Sequence, residues 1–309
     1  MAHMAPMPRK TFTGPDMATL TQAAAGPKPR NDGTLAILGS LPLAIVFLTL
    51  VLTPLALTFV LSFRPFDYSA GILPGHTFEH YLAVVTDSYF LEIFWRTFWI
   101  AGVTTLICVL IGAPEAYILS RMGKPWRSIF LLVVLSPLLI SLVVRAFGWS
   151  MLLGPGGAIG KAAAALGMGP LLYTPTAVII GLVHVMLPFM VIPVWTSLQK
   201  LDPTVEHAAL SLNASRFQTL TRIVLPQAMP GILSGSLIVF GLSASSFAIP
   251  ALLGGRRLKM VATVVYDEFL TELNWPLGAA IAIVLLVVNV IIMMAYNRVV
   301  ERSYRRSLG

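Results

Sequence analysis

The sequence predicts an all-α integral membrane protein with six transmembrane helices and one ordered polar loop between the fourth and fifth. Three observations carry this. The 309 residues are 57% hydrophobic and only 11% charged, against about 25% charged residues in a soluble domain of ordinary composition. Six apolar stretches reach the roughly 20 residues that a helix needs to cross the hydrocarbon core. Between the last two pairs of them runs "EHAALSLNASRFQTLTRIVLPQAMPGIL", residues 206–233, too polar to span yet patterned like short helices.

The spans are expected at about 35–63, 94–119, 128–149, 174–198, 229–253 and 277–296, with ends good to about 2–4 residues. The first is long and holds Pro42 and Pro54, so a tilted or kinked helix is expected. Fourteen of the 21 Lys and Arg residues, from Arg9 and Lys10 to Arg305 and Arg306, fall on the side that holds both termini and the 206–233 stretch. That side is expected to be cytoplasmic. Most of the acids, including Asp67, Glu79, Asp267, Glu268 and Glu272, fall on the other.

Three segments on the outer side read as short caps: "GHTFEHYLAVV", the turn "GPGG" followed by "AIGKAAAALG", and "VATVVYDEFL". Residues 1–33 are polar, without an apolar core, so no secretory signal is expected there. They read as a disordered cytoplasmic tail, 34–300 as the permeating domain with its loop at 199–228, and 301–309 as a second tail. The single cysteine, Cys108, lies in an apolar run, so no disulfide framework exists and a packing role is expected.

The loop can be read residue by residue. Asp202 is a good N-cap with Pro203 at the first helical position. Val205, Ala208, Ala209 and Leu212 make one apolar face. Asn213 sits where a left-handed C-cap would end the helix. Ser215 with Gln218 is a capping-box pattern that starts a second helix. Phe217, Leu220 and Val224 give that helix its face, and Pro226 is expected to end it. Such a face either folds back on its own bundle or docks a partner.

Other function classes find no support in the residues. The net charge of +8 is spread beside apolar runs, where membrane topology puts it, so nucleic acid is not expected as a partner. "GPGGAIGKA" fails the phosphate-loop pattern: its first glycine falls on Pro155, and Ala162 stands for Ser/Thr. No zinc spacing or nucleophile motif occurs, so no catalytic residue and no metal site is expected. A secondary transporter or channel would call for inverted repeats and several intramembrane charges, and neither is read.

Within the spans, Glu115 is the one acid. It either lines a route for a cation or pairs with Arg121 at the inner interface. Arg145 either gates the route, contacts an outer partner, or snorkels to the interface. Gly231 and Gly235 form GxxxG in the fifth span, with Gly241 and Ser245 repeating the spacing. This stripe packs either against a second subunit, beside Ser243 and Ser245 on the route, or within the chain. His184 reads as a packed, hydrogen-bonded histidine.

"LDPTVEHAALSLNASRFQTLTRIVLPQAMPGIL" resembles the EAA loop of permease subunits of binding-protein-dependent ABC importers. Ala208, Ala209, Leu212, Ala214, Ile223, Leu225 and Pro226 match its pattern. His207 stands where the motif has glutamate, with Glu206 just before it, and Asn213 stands at the motif glycine. "TPTAVIIGLVHVMLPFMVIPVWTSLQKLDP", "VVRAFGW" and "NWPLGAA" resemble the spermidine/putrescine permease group, and the likeness spans roughly 35–302. It implies a type I importer permease in a bacterial inner membrane. In such a system a second permease subunit completes a heterodimer, a periplasmic protein delivers solute, and two cytoplasmic ATPases bring ATP and Mg. Residues Glu206, His207, Ala208, Ala209, Leu212, Asn213, Ala214, Phe217, Leu225 and Pro226 would meet an ATPase. This chain would bind no cofactor of its own. The solute implied is a polyamine; relatives of the same architecture carry opines, other amines, phosphonates or ferric complexes.

Overall fold

A computed structural model of the chain describes residues 32–307. Most of the expected N-terminal tail and the last two residues lie outside these. The helices are α1 (Asp32–Leu61), α2 (Glu79–Thr86), α3 (Ser88–Arg121), α4 (Trp126–Leu139), α5 (Leu142–Leu153), α6 (Ala158–Ala165), α7 (Pro175–Leu198), α8 (Pro203–Ser211), α9 (Arg216–Thr219), α10 (Leu225–Ala244), α11 (Val261–Leu270) and α12 (Trp275–Ser307). One antiparallel hairpin, β1 (Phe66–Asp67) with β2 (Gly71–Ile72), was not foreseen. Among the described residues six helical stretches are long and apolar enough to cross a membrane.

The chain divides into two compact units. The first, ending at Ala56, contains most of α1, which runs through Pro42 and Pro54 without interruption. The second, from Leu57, contains everything else. Its centre is the trio α3, α7 and α10, the most extensively packed helices. Ile100, Leu119, Leu182, Met190 and Leu198 are fully buried there. Cys108 is buried in the same cluster. A second cluster joins α2, α3, α11 and α12 through Val84, Phe90, Ile93, Val264 and Ile281.

Lipid tails are as apolar as leucine, so helices in a bilayer gain little by hiding apolar surface from one another. They gain by close approach. The GxxxG of α10 supplies it within the chain. A Cβ on Gly231 would lie 2.5 Å from the Pro193 carbonyl oxygen and 2.6 Å from Val194 Cα, both backbone atoms of α7. At Gly235 it would meet Met190 Sδ at 2.9 Å.

The three segments read as caps are helical, as α2, α6 and α11. Three expectations need correction. The third stretch is not one helix: Ile140 is extended (φ −99°, ψ 139°) and separates α4 from α5, and the third stretch long and apolar enough to span is Leu142–Ala165, which takes in α6, while α4 is too short. Pro137 causes the weakness, since it has no N–H for the Val133 carbonyl; the Ser136 hydroxyl donates to that carbonyl instead, at 2.8 Å. The fifth stretch ends at Ala244, not 253. Ser245 Oγ donates to the Gly241 carbonyl at 2.9 Å, a local competitor of the helix ladder. A wide turn, Pro250–Gly254, follows and packs Ile249 and Leu253 onto Gly181 of α7. The sixth span itself is as expected, Trp275–Arg298, but its helix continues to Ser307. Finally, Pro226 does not end the second loop helix. Leu220–Val224 forms a π turn, with the Leu225 N–H donating to the Leu220 carbonyl. The widened turn leads into α10, and Pro226 falls in its first turn, where a missing N–H costs least.

Candidate functional site: the loop between the fourth and fifth spans

Each end of the loop's helices is closed by its own residues. The Asp202 carboxylate accepts the Thr204 N–H at 2.9 Å, and bonds from Thr204 hold Asp202 below the usual carboxylate range. Pro203 follows at the first helical position. At the far end Asn213 adopts φ +63°. The Asn213 N–H donates to the Leu210 carbonyl at 3.0 Å and the Ala214 N–H to the Ala209 carbonyl at 3.1 Å. This is the Schellman pattern, in which a residue with positive φ lets the chain turn back and satisfy the last helical carbonyls. Ser215 Oγ then accepts the Gln218 N–H at 3.1 Å, and Gln218 Oε1 accepts the Ser215 N–H at 3.0 Å. The capping box is complete.

These closures fix which side chains point out. Leu212 is 84% exposed and Phe217 73%. Val205, Ala208, Leu210, Leu220, Leu225 and Pro226 are exposed beside them. Thr219 and Val224 point inward, and Ala209 and Ala214 are half-buried. The apolar stripe read from the sequence is thus divided: Val224 joins the core while Leu212 and Phe217 stand out from it. Among the described residues nothing of this chain covers those two.

Glu206 and His207 take opposite roles. His207 is exposed. Glu206 pairs with Arg121, the last residue of α3, and accepts from Tyr117 Oη at 3.4 Å. The Arg121 guanidinium also lies 5.5 Å from the Tyr117 ring centroid. Arg121 therefore pairs with Glu206, not with Glu115. No local signal in the sequence announces this, because the partners stand 85 residues apart.

The other singled-out residues lie elsewhere. Glu115 is half-buried on α3, with no ion pair among the described residues. On α5, Arg145 has Nε and Nη1 buried without a partner among the described residues. Beside it Trp149 Nε1 donates to His184 Nδ1 at 3.0 Å. Ser243 is fully buried and Ser245 is exposed. Gly241 meets only an ordinary contact with Met293.

At the opposite end of α3 lies a feature that sequence reasoning missed, a cleft of about 1100 Å³. Phe247 and Tyr266 stack across its wall with centroids 4.5 Å apart. Arg256, Arg257, Glu272 and the Lys259–Asp267 pair at 2.6 Å line it. Its hydrogen bond to Asp267 holds Lys259 above the ordinary lysine range. Glu268, next to the pair, is pushed up by burial and then by the charge of Glu272.

The chain was compared with known proteins. Residues 109–306 match the family described as "Binding-protein-dependent transport system inner membrane component". The spermidine/putrescine transport system permease protein PotB of Haemophilus influenzae is 35% identical over 262 residues, 82% of this chain and 91% of the relative. PotB of Escherichia coli is 32% identical over 241 residues, 77% and 87% of the two chains. In fold the chain is similar to a crystal structure of a bacterial ABC transporter involved in alginate import, with TM-score 0.72, 21% identity, and 88% and 96% of the chains covered. With a family match over most of its length and relatives above 30% identity, the chain belongs to the binding-protein-dependent inner membrane components and is the permease subunit of an ABC importer.

Proposed function

We propose that this permease forms half of the pathway for a polyamine of the spermidine/putrescine kind, delivered by a periplasmic binding protein. The similarity to the two PotB proteins over most of the chain carries the substrate assignment. A second permease subunit completes the pathway. The termini and the 199–228 loop lie on the cytoplasmic side, as the Lys and Arg distribution favours. The exposed face of Leu212 and Phe217 seats in a groove of an ATPase, a helix-in-groove contact. ATP and Mg belong to that ATPase, and this chain hydrolyses nothing itself. ATP-driven closure of the ATPases then rocks the helices between two access states.

His207 replaces the motif glutamate on the exposed side, so docking here relies on apolar contact more than on an acid. The test is reconstitution in liposomes with the companion permease, the ATPase and the binding protein. ATP-dependent uptake of labelled spermidine is expected, with unlabelled putrescine competing. Uptake indifferent to polyamines would overturn the substrate assignment.

A further inference from the structure

α8 packs on α9, and most of its side chains are exposed. Among the described residues the polar tie to the spans is one acid, Glu206, and it goes to one helix, α3. Arg121 and Glu206 are only 25% and 14% exposed at the side chain. A pair so shielded resists screening by salt and leaves a buried charge behind if one partner is lost. Arg121 is also the last residue of α3, where the helix dipole favours a cation. Its guanidinium lies 5.5 Å from the Tyr117 ring centroid one turn earlier, and its Nε is buried without a partner among the described residues.

The same helix is tied at its other end. Thr97 Oγ1 accepts the Val261 N–H at 3.0 Å, and both residues are buried. Arg96 Nη1 reaches the Lys259 carbonyl at 3.5 Å. Lys259 and α11 form a wall of the 1100 Å³ cleft. From Thr97 to Arg121 the helix rises about 36 Å at 1.5 Å per residue. Pro114 is the only proline within it. A continuous helix with a polar joint at each end can carry displacement from one end to the other, with Pro114 the place where it can bend.

We propose that the Arg121–Glu206 pair is the joint that delivers movement of α8 to α3, and through α3 to the rim of the cleft. This rests on the reading of α8 as the ATPase-docking helix. Arg121 and Glu206 are then positioning residues. They hold the docked helix to the helix it drives, and Arg121 is not part of the docking face.

The test uses the reconstituted complex of both permeases, ATPase and binding protein, and reads three quantities: ATPase capture, ATP hydrolysis, and labelled spermidine uptake per ATP. Arg121→Gln is expected to capture the ATPase as wild type does and to hydrolyse ATP. Its uptake per ATP should fall about tenfold, within the range of coupling energies between sites. Arg121→Glu should be worse, since it opposes Glu206, and Arg121→Glu combined with Glu206→Arg should recover part of the loss. If Arg121→Gln does not elute as a single species in detergent, Arg121→Lys takes its place, with a smaller loss expected because the charge remains and the fork does not.

Uptake per ATP within about twofold of wild type would overturn the joint, as would a charge swap no better than Arg121→Glu alone. Loss of ATPase capture in Arg121→Gln would also overturn it, by placing Arg121 in the docking contact. The docking reading fails separately, if Leu212→Asp still captures the ATPase.

Discussion

The α8–α9 loop and the α7–α10 seam use the same residue vocabulary, small and apolar side chains at helical spacing, to opposite ends. In the seam, Gly231 lets the backbones of α10 and α7 meet, and Met190 and Val194 are fully buried. In the loop, Ala208 is exposed and Leu212 and Phe217 stand out. The difference lies in what surrounds each face. An apolar side chain turned to lipid costs little, so the many exposed leucines of α1 need no explanation. Outside the spans the solvent is water, and leaving a leucine exposed forgoes about 1.5–3 kcal/mol. Leu212 and Phe217, the most exposed large apolar side chains of the loop, are therefore informative.

The largest effect is expected where that comparison is broken on the loop side. Leu212→Asp puts a charge into an apolar contact, which costs several kcal/mol unless the charge is paired. Since about 1.4 kcal/mol is tenfold, capture of the ATPase should fall by orders of magnitude. Membrane insertion should be normal, because Leu212 lies outside the candidate spans and is 84% exposed. A pull-down from detergent, beside the yield of extracted permease, checks both. Normal capture and coupling would show that the face serves something other than the ATPase.

The next effect breaks the seam. Gly231→Val requires three new carbons where one Cβ already lies 2.5 Å from a backbone oxygen. Neither backbone can yield without separating α7 from α10. A loss beyond the 1–3 kcal/mol usual for overpacking is expected, seen as a lower melting temperature or poor extraction. The matched control is Gly241→Ala, whose Cβ would lie 3.5 Å from a flexible methionine and should change melting little. Equal behaviour of the two variants would mean the GxxxG is not a packing seam within the chain.

These regions also differ in how far they could be read in advance. Loop chemistry is local: Asp202, Asn213 and the Ser215–Gln218 pair act on atoms within a few residues, so their caps follow from sequence alone. Five of the six apolar stretches were legible for a similar reason, since length and composition define a span, while the third was placed too early. What stayed hidden depends on distant or cooperative geometry. The break at Ile140 reflects how Pro137 and its neighbours resolve one lost hydrogen bond. The π turn before Pro226 keeps α9 and α10 continuous where a proline suggested a stop. Arg121 was visible as a charge, yet its partner Glu206 is brought to it only by the packed bundle. Likewise the GxxxG signals close approach without saying to which helix.

A smaller effect sharpens the loop side. Asn213 holds φ +63°, a conformation that costs most L residues roughly 1–2 kcal/mol and glycine little. Asn213→Gly should leave ATPase capture near wild type, because glycine suits the same turn. Asn213→Val should weaken capture by about tenfold, since a β-branched residue resists that φ and would misalign α8 with α9. If both variants capture the ATPase equally well, the Schellman turn does not set the docking face.

The smallest effect comes from α11, whose surroundings are neither open water nor the packed seam. Glu268 is half-buried, with Oε2 buried and unpartnered among the described residues. Burial raises its pKa above the ordinary 4.5, Glu272 and Asp267 raise it further, and Lys259 offsets part of this. Above the ordinary value the folded state therefore holds its proton when the unfolded state has lost it. Stability must fall as pH rises from there through the folded pKa. Glu268→Gln cannot ionise, so it should lose that slope and melt higher than wild type on the alkaline side. Melting of the detergent-solubilised protein from about pH 5 to about pH 8 measures it. Parallel curves for the two proteins would mean that water reaches Glu268 as freely as it reaches the loop.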